Sequence, residues 1–155
     1  MRSVLFPPYQ SIRRRRDMIT NKVCKAKILL IEDEEDVRRT MVELLTALGY
    51  DVSYAIEGSE AVGLFGFAME KGKPYDVVIV DYFIPGIMNG AEVMSKLRLV
   101  DPGVKAVLVS GCMDNLAIAR CSQAGFQGAL TKPFAISELD GMLANMMGKG
   151  AQDAA

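Results

Sequence analysis

The sequence predicts an α/β fold, a doubly wound (βα)5 sandwich built on a five-stranded parallel sheet. Short apolar runs alternate five times with amphipathic stretches between Lys27 and Met147. Three of those runs are continuous rather than alternating, as in strands covered on both faces of a parallel sheet. Glycine and proline punctuate the junctions, and right-handed crossovers then place helices on both sides.

The first run, Ile28-Leu29-Leu30-Ile31, leads into Glu32-Asp33. Val37, Met41, Leu44, Leu45 and Leu48 follow at three- and four-residue spacing, a helical face that Gly49 stops. The second run, Val52 to Ala55, is weaker and suits a position nearer an edge. Ala61, Leu64, Phe65 and Ala68 line the second helix, which Lys71-Gly72-Lys73-Pro74 breaks. Val77 to Val80 form the third strand, ending in Asp81. Val93, Leu97 and Val100 mark a third helix, closed by the turn signal Asp101-Pro102-Gly103. The fourth run, Ala106 to Val109, ends in Ser110, and Leu116, Ile118 and Ala119 outline a fourth helix. The fifth run, Gly128 to Leu130, again suits an edge and precedes Lys132-Pro133. Ile136, Leu139, Leu143 and Met146 line the last helix, with Ser137 or Pro133 marking its start.

These elements predict one domain over residues 27–147. A basic, flexible arm over 1–26 precedes it, and a short flexible tail over 148–155 leaves no room for an output module. The arm carries Pro7-Pro8 and Arg13–Arg16 without a sustained period. Its apolar stretch Val4-Leu5-Phe6 is shorter than the roughly 7–15 residues of a secretory signal, and Met18 offers an alternative start. Residues 1–27 hold eight basic and one acidic side chain, a net of +7. The rest holds ten basic and eighteen acidic ones, a net of −8. The arginine run is the only hint of a nucleic-acid partner, and a solvated tail is the plainer reading.

No apolar stretch approaches the ~18 residues of a membrane span. The longest, Val77 to Met88, is interrupted by Asp81 and bent by Pro85 and Gly86. Cys24, Cys112 and Cys121 fit no metal or disulfide spacing and read as free thiols of a cytoplasmic protein. The chain has no histidine. That excludes Ser-His-Asp and Cys-His nucleophile systems and a His-ligated zinc, and it means the chain cannot itself carry phosphohistidine.

In an open parallel sheet, sites form outside the carboxyl ends of the strands. Glu32, Asp33, Asp81, Ser110 and Lys132 all fall there. Singly, each has a plain reading: acids after a strand cap the next helix, as Glu34 to Asp36 do, a serine is a loop hydroxyl, and a lysine is a solvated charge. Together they are three carboxylates, a point cation and a hydroxyl donor at one edge. Crowded carboxylates repel, and a divalent oxygen-loving cation relieves them. Few protein carboxylates, with room for water and phosphate oxygens, is the coordination style of Mg²⁺. Phosphoryl transfer chiefly needs positioning and charge neutralisation, which this set supplies.

The ordered segments Ile28-Leu29-Leu30-Ile31-Glu32-Asp33-Glu34, Val77-Val78-Ile79-Val80-Asp81 with Pro85, Val109-Ser110-Gly111 and Thr131-Lys132-Pro133-Phe134 resemble the response-regulator receiver domain of two-component signalling. The resemblance runs from about Lys27 to Met147 and implies the flavodoxin-like receiver fold. It implies that Asp81 is phosphorylated, that Asp33 ligates Mg²⁺ directly, and that Glu32 does so directly or through water. The backbone carbonyl of Phe83 would be a further ligand. Lys132 would pair with the phosphoryl oxygens, its bond to Pro133 would be cis, and Ser110 would move to the phosphoryl group once formed. The donor would be a histidine kinase or histidine phosphotransfer protein. The signal would pass to a downstream protein through the fourth helix, fifth strand and fifth helix, or the phosphate would be relayed to another histidine. Such a chain catalyses only its own phosphorylation and dephosphorylation. The ending Gly128 to Phe134 is similar to receivers of hybrid kinases.

Three departures stand out. The stretch Pro85 to Gly90 is one residue longer than the common loop, and Phe83 is apolar where many receivers are polar. Ala129 stands where many carry an aromatic switch residue, with Phe126 as a substitute. Two other classes fit less well. A haloacid-dehalogenase-type phosphatase needs a second acid where Phe83 stands, and a phosphorylation-independent interaction module would not need the full acid, serine and lysine set.

Overall fold

The computed structural model describes residues 23–82, 89–111 and 114–149. Five strands, β1 (Lys27–Ile31), β2 (Asp51–Ala55), β3 (Val77–Asp81), β4 (Ala106–Ser110) and β5 (Gly128–Thr131), alternate with five helices. These are α1 (Glu35–Ala47), α2 (Gly58–Glu70), α3 (Gly90–Val100), α4 (Asn115–Ala124) and α5 (Ile136–Ala144), the last followed by a π-type turn over Asn145–Lys149. All strand pairs are parallel, in the order β2-β1-β3-β4-β5. The two weaker runs are therefore the two edges, and the three continuous runs are central.

The period of two along each strand divides the core in two. Leu29, Ile31, Val78, Val80, Ala106 and Leu108 face the layer holding Phe65 of α2 and Leu97 of α3. Ile28, Leu30, Val77, Ile79, Val107 and Val109 face Leu45 of α1 and Leu139 and Leu143 of α5. Each fully buried Val, Leu, Ile or Phe among them contributes roughly 1.5–3 kcal/mol of transfer free energy, and β3, covered on both faces, has no solvent-facing position.

Local signals set the element ends. Gly49 takes φ +100° just beyond α1, a left-handed conformation in which glycine avoids Cβ strain. Asn89 caps α3: its side chain accepts the Glu92 N–H at 3.0 Å, and the Glu92 carboxylate accepts the Asn89 N–H at 3.1 Å. At Gly128, a Cβ would lie 2.5 Å from Met142 Sδ, so the Met142 side chain fills the space that a larger residue would need.

Several helical faces differ from expectation. Leu44, Val100 and Leu116 are exposed, as is Ala119, while Val42, Met94 and Cys121 are buried in their helices. In each helix the packing against the sheet decides which apolar positions turn inward. The last helix begins at Ile136 after Ala135, not at Ser137 or Pro133, and the Glu138 carboxylate accepts the Ala135 N–H at 3.4 Å. Among the described residues no helix is long and apolar enough to cross a membrane.

Candidate functional site

The carboxyl ends of β1 and β3 deliver Glu32 and Asp81, both buried, on the alternation that leads toward α1 and α5. The β1 ladder ends at Ile31, and Asp33 follows into solvent. Oxygens of Glu32, Asp33 and Asp81 all lie within 4.8 Å of one another. Lys132 enters from the turn after β5, where its N–H donates to the Ser110 carbonyl at 2.7 Å. Its ammonium donates to Asp81 Oδ2 at 2.8 Å and to Glu32 Oε2 at 3.2 Å. The Lys132–Pro133 bond is cis.

Among the described residues, three carboxylates and one ammonium gather at this corner. Burial, and then the Asp81 carboxylate beside it, push Glu32 up to about 7, offset only in part by the Glu34 N–H and the Lys132 charge. Burial alone would depress Lys132, but its hydrogen bond and charge pairing with Asp81 and Glu32 outweigh this and hold it above the ordinary lysine value. The donor set fits a small hard divalent cation such as Mg²⁺: it is all oxygen, carboxylate-rich and partly open to water at Asp33.

Ser110 is fully buried at the end of β4, opposite Thr131 and one step beyond the Asp81–Val109 pairing. It follows the row of Ala106 and Leu108, so its backbone carbonyl, rather than its side-chain row, is what ties it to Lys132. Ala129 is half-buried against the same core layer that holds Phe126. Phe83, the stretch Pro85 to Met88, Cys112 and Arg13–Arg16 lie outside the described residues.

Two features escaped the sequence reading. Arg38, one turn into α1, donates from Nη1 to the backbone carbonyls of Glu32 at 3.2 Å and Asp33 at 3.1 Å. Only its position five residues beyond Asp33, in the first turns of the helix, could have hinted at this. The other is a groove of about 490 Å³ shared by α1 and the start of α5. Val37, Met41, Leu44, Phe134 and Ile136 line it together with Glu32, Asp81 and Lys132. The exposure of Leu44 signals it.

Residues 28–144 match the family model described as the response regulator receiver domain. The sensor kinase CckA of Brucella abortus is 32% identical over 143 residues, which is 92% of this chain but 15% of CckA. Sporulation initiation phosphotransferase F of Bacillus subtilis is 26% identical over 113 residues, covering 73% of this chain and 86% of that protein. The chain spans 45% and 27% of two further curated relatives. Among solved structures, the receiver domain of sensor histidine kinase PA1611 from Pseudomonas aeruginosa superposes with a TM-score of 0.70 at 25% identity, over 80% of this chain and 98% of that one. That crystal structure has a magnesium ion coordinated in its active-site cleft.

Proposed function

Because the chain belongs to the response regulator receiver family of two-component systems, we propose that Asp81 accepts a phosphoryl group from phosphohistidine on a partner protein. The observation that carries this reading is the Lys132 ammonium bridging Asp81 and Glu32, with an Asp33 oxygen within 4.8 Å of both carboxylates.

Glu32, Asp33 and Asp81 are the side chains that would hold Mg²⁺, with the Phe83 carbonyl as the further ligand the family pattern implies. When bound, the ion offsets the negative charge of the carboxylates and of the incoming phosphoryl oxygens. An Asp81 carboxylate oxygen attacks phosphorus in line, the O–P bond forms, the N–P bond breaks, and its electron pair leaves with the imidazole. The Lys132 ammonium stays beside Asp81 and takes up charge on the phosphoryl oxygens as it develops. The Ser110 hydroxyl turns to donate to the phosphorylated product. Water later attacks phosphorus, releasing phosphate and restoring Asp81.

The partner is a histidine kinase or histidine phosphotransfer protein that seats apolar side chains in the groove beside Leu44 and Phe134. The output goes to a protein target or onward to another histidine. The working unit is residues 27–147, with 1–26 and 148–155 as appendages, and the chain acts in the cytoplasm. Incubation with phosphoramidate, whose N–P bond imitates phosphohistidine, tests this by intact mass. One phosphoryl group is expected with Mg²⁺ and none with chelator. An adduct formed equally well without Mg²⁺ overturns the reading.

A further inference from the structure

Arg38 belongs to none of the motif segments, yet it touches the site's scaffold at two successive residues. Its Nη1 donates to the carbonyls of Glu32 and Asp33, and its guanidinium lies 5.0 Å from the centroid of the Tyr54 ring on β2. Two carbonyls converging on one nitrogen fix both peptide planes, and the ring contact ties the clamp to the sheet. Glu32 has a second restraint, since its Oε1 accepts the Glu34 N–H at 3.1 Å. Asp33 has none of this kind: among the described residues no side-chain or backbone donor holds its exposed carboxylate, so only its backbone aims it.

Building on the Mg²⁺ site proposed above, we infer that Arg38 is a positioning residue that aims the Asp33 carboxylate by clamping the Glu32–Asp33 backbone. The inference makes a signed prediction. By charge alone, removing a cation from beside a divalent-ion site should tighten Mg²⁺ binding severalfold. By positioning, removal should weaken it, because the turn carrying Asp33 loses its anchor. The two effects have opposite signs.

The test is calorimetric titration of the full chain with Mg²⁺ alone, for the native protein and for Arg38→Met, Arg38→Lys, Tyr54→Leu, Asp33→Asn and the Asp33→Asn/Arg38→Met pair. Arg38→Met is expected to weaken Mg²⁺ about 10-fold, the scale seen when a residue that orients a ligand is lost. Arg38→Lys, which keeps the charge without the fork, should fall between, and Tyr54→Leu should weaken binding less. The double variant should bind no worse than Asp33→Asn, because a clamp has nothing left to aim. Equal or tighter binding by Arg38→Met overturns the inference, as does full additivity in the double variant. If Arg38→Met fails to melt cooperatively without metal, Arg38→Lys and Tyr54→Leu decide by the same criterion. A native protein that binds no Mg²⁺ overturns the proposed site itself, an outcome distinct from a native protein that binds and an Arg38 variant that binds as well.

Discussion

At the amino end of the sheet, several polar groups pair with one another. The Lys27 N–H donates to Asp76 Oδ2 at 2.7 Å, and its ammonium donates to the Lys73 carbonyl at 2.6 Å. The buried Tyr50 hydroxyl donates to Asp140 Oδ1 at 2.6 Å, with Lys25 3.7 Å from the same oxygen. At the carboxyl end, oxygens of three carboxylates lie within 4.8 Å of one another, and among the described residues the Lys132 ammonium pairs with two of them. The Lys27–Asp76 and Tyr50–Asp140 pairings lie wholly within the protein. The carboxyl-end cluster gathers like charges against repulsion, and under the proposed reading that is where a cation and a phosphoryl group would be received. Changes at the carboxyl end should therefore act on chemistry, and changes at the amino end on stability.

The largest expected effect is at Asp81. Asp81→Asn should abolish phosphoryl uptake from phosphoramidate while the chain still melts cooperatively. Next is Lys132→Ala, which removes the ammonium from both carboxylates. Loss of one preorganised electrostatic donor should slow phosphorylation about 10²–10³-fold, measured by stopped-time intact mass.

Proton and metal then compete for the same corner. Folded protein keeps a proton on Glu32 up to about 7, against an ordinary value of 4.5. A raised carboxylate contributes stability that is present at low pH and lost as pH rises toward 7. Metal-free protein should thus lose melting temperature between about pH 4.5 and 7 through this group. Mg²⁺ affinity should run the other way, weaker at pH 6 than at pH 8, because the ion must displace the proton. At about 100 times its dissociation constant, Mg²⁺ should stabilise the fold by about 2.7 kcal/mol at pH 8, visible in chemical denaturation with and without chelator.

The smallest expected effect sharpens the contrast from the other side. Tyr50→Phe removes the hydrogen bond to Asp140 at the amino end and should cost about 1 kcal/mol of stability. Phosphorylation rate and Mg²⁺ affinity should be unchanged. An altered rate would mean that the two ends are coupled through α5.

Much of this was legible in the sequence, because what carries it is local. Continuous apolar runs identified β1, β3 and β4 as central, and the polar residues ending them named Glu32, Asp81 and Ser110. What was not legible depends on angles around a helix axis or on contacts between distant elements. Leu44 and Val42 are both apolar, and only the packing of α1 on the sheet decides that Val42 turns inward and Leu44 rims the groove. Likewise, an arginine in the first turns of a helix reads as a solvated charge. Its bonds to the Glu32 and Asp33 carbonyls appear only when the chain folds back over them.

The most direct test is to locate the phosphoryl group chemically. Protein phosphorylated in the presence of Mg²⁺ is reduced with borohydride, which converts an acyl phosphate to an alcohol and leaves free carboxylates untouched, and the peptides are then read by mass spectrometry. The account predicts reduction at Asp81 alone, absent after chelation. Reduction at Asp33 or Glu32, or a phosphorylated chain with Asp81 unreduced, would contradict it.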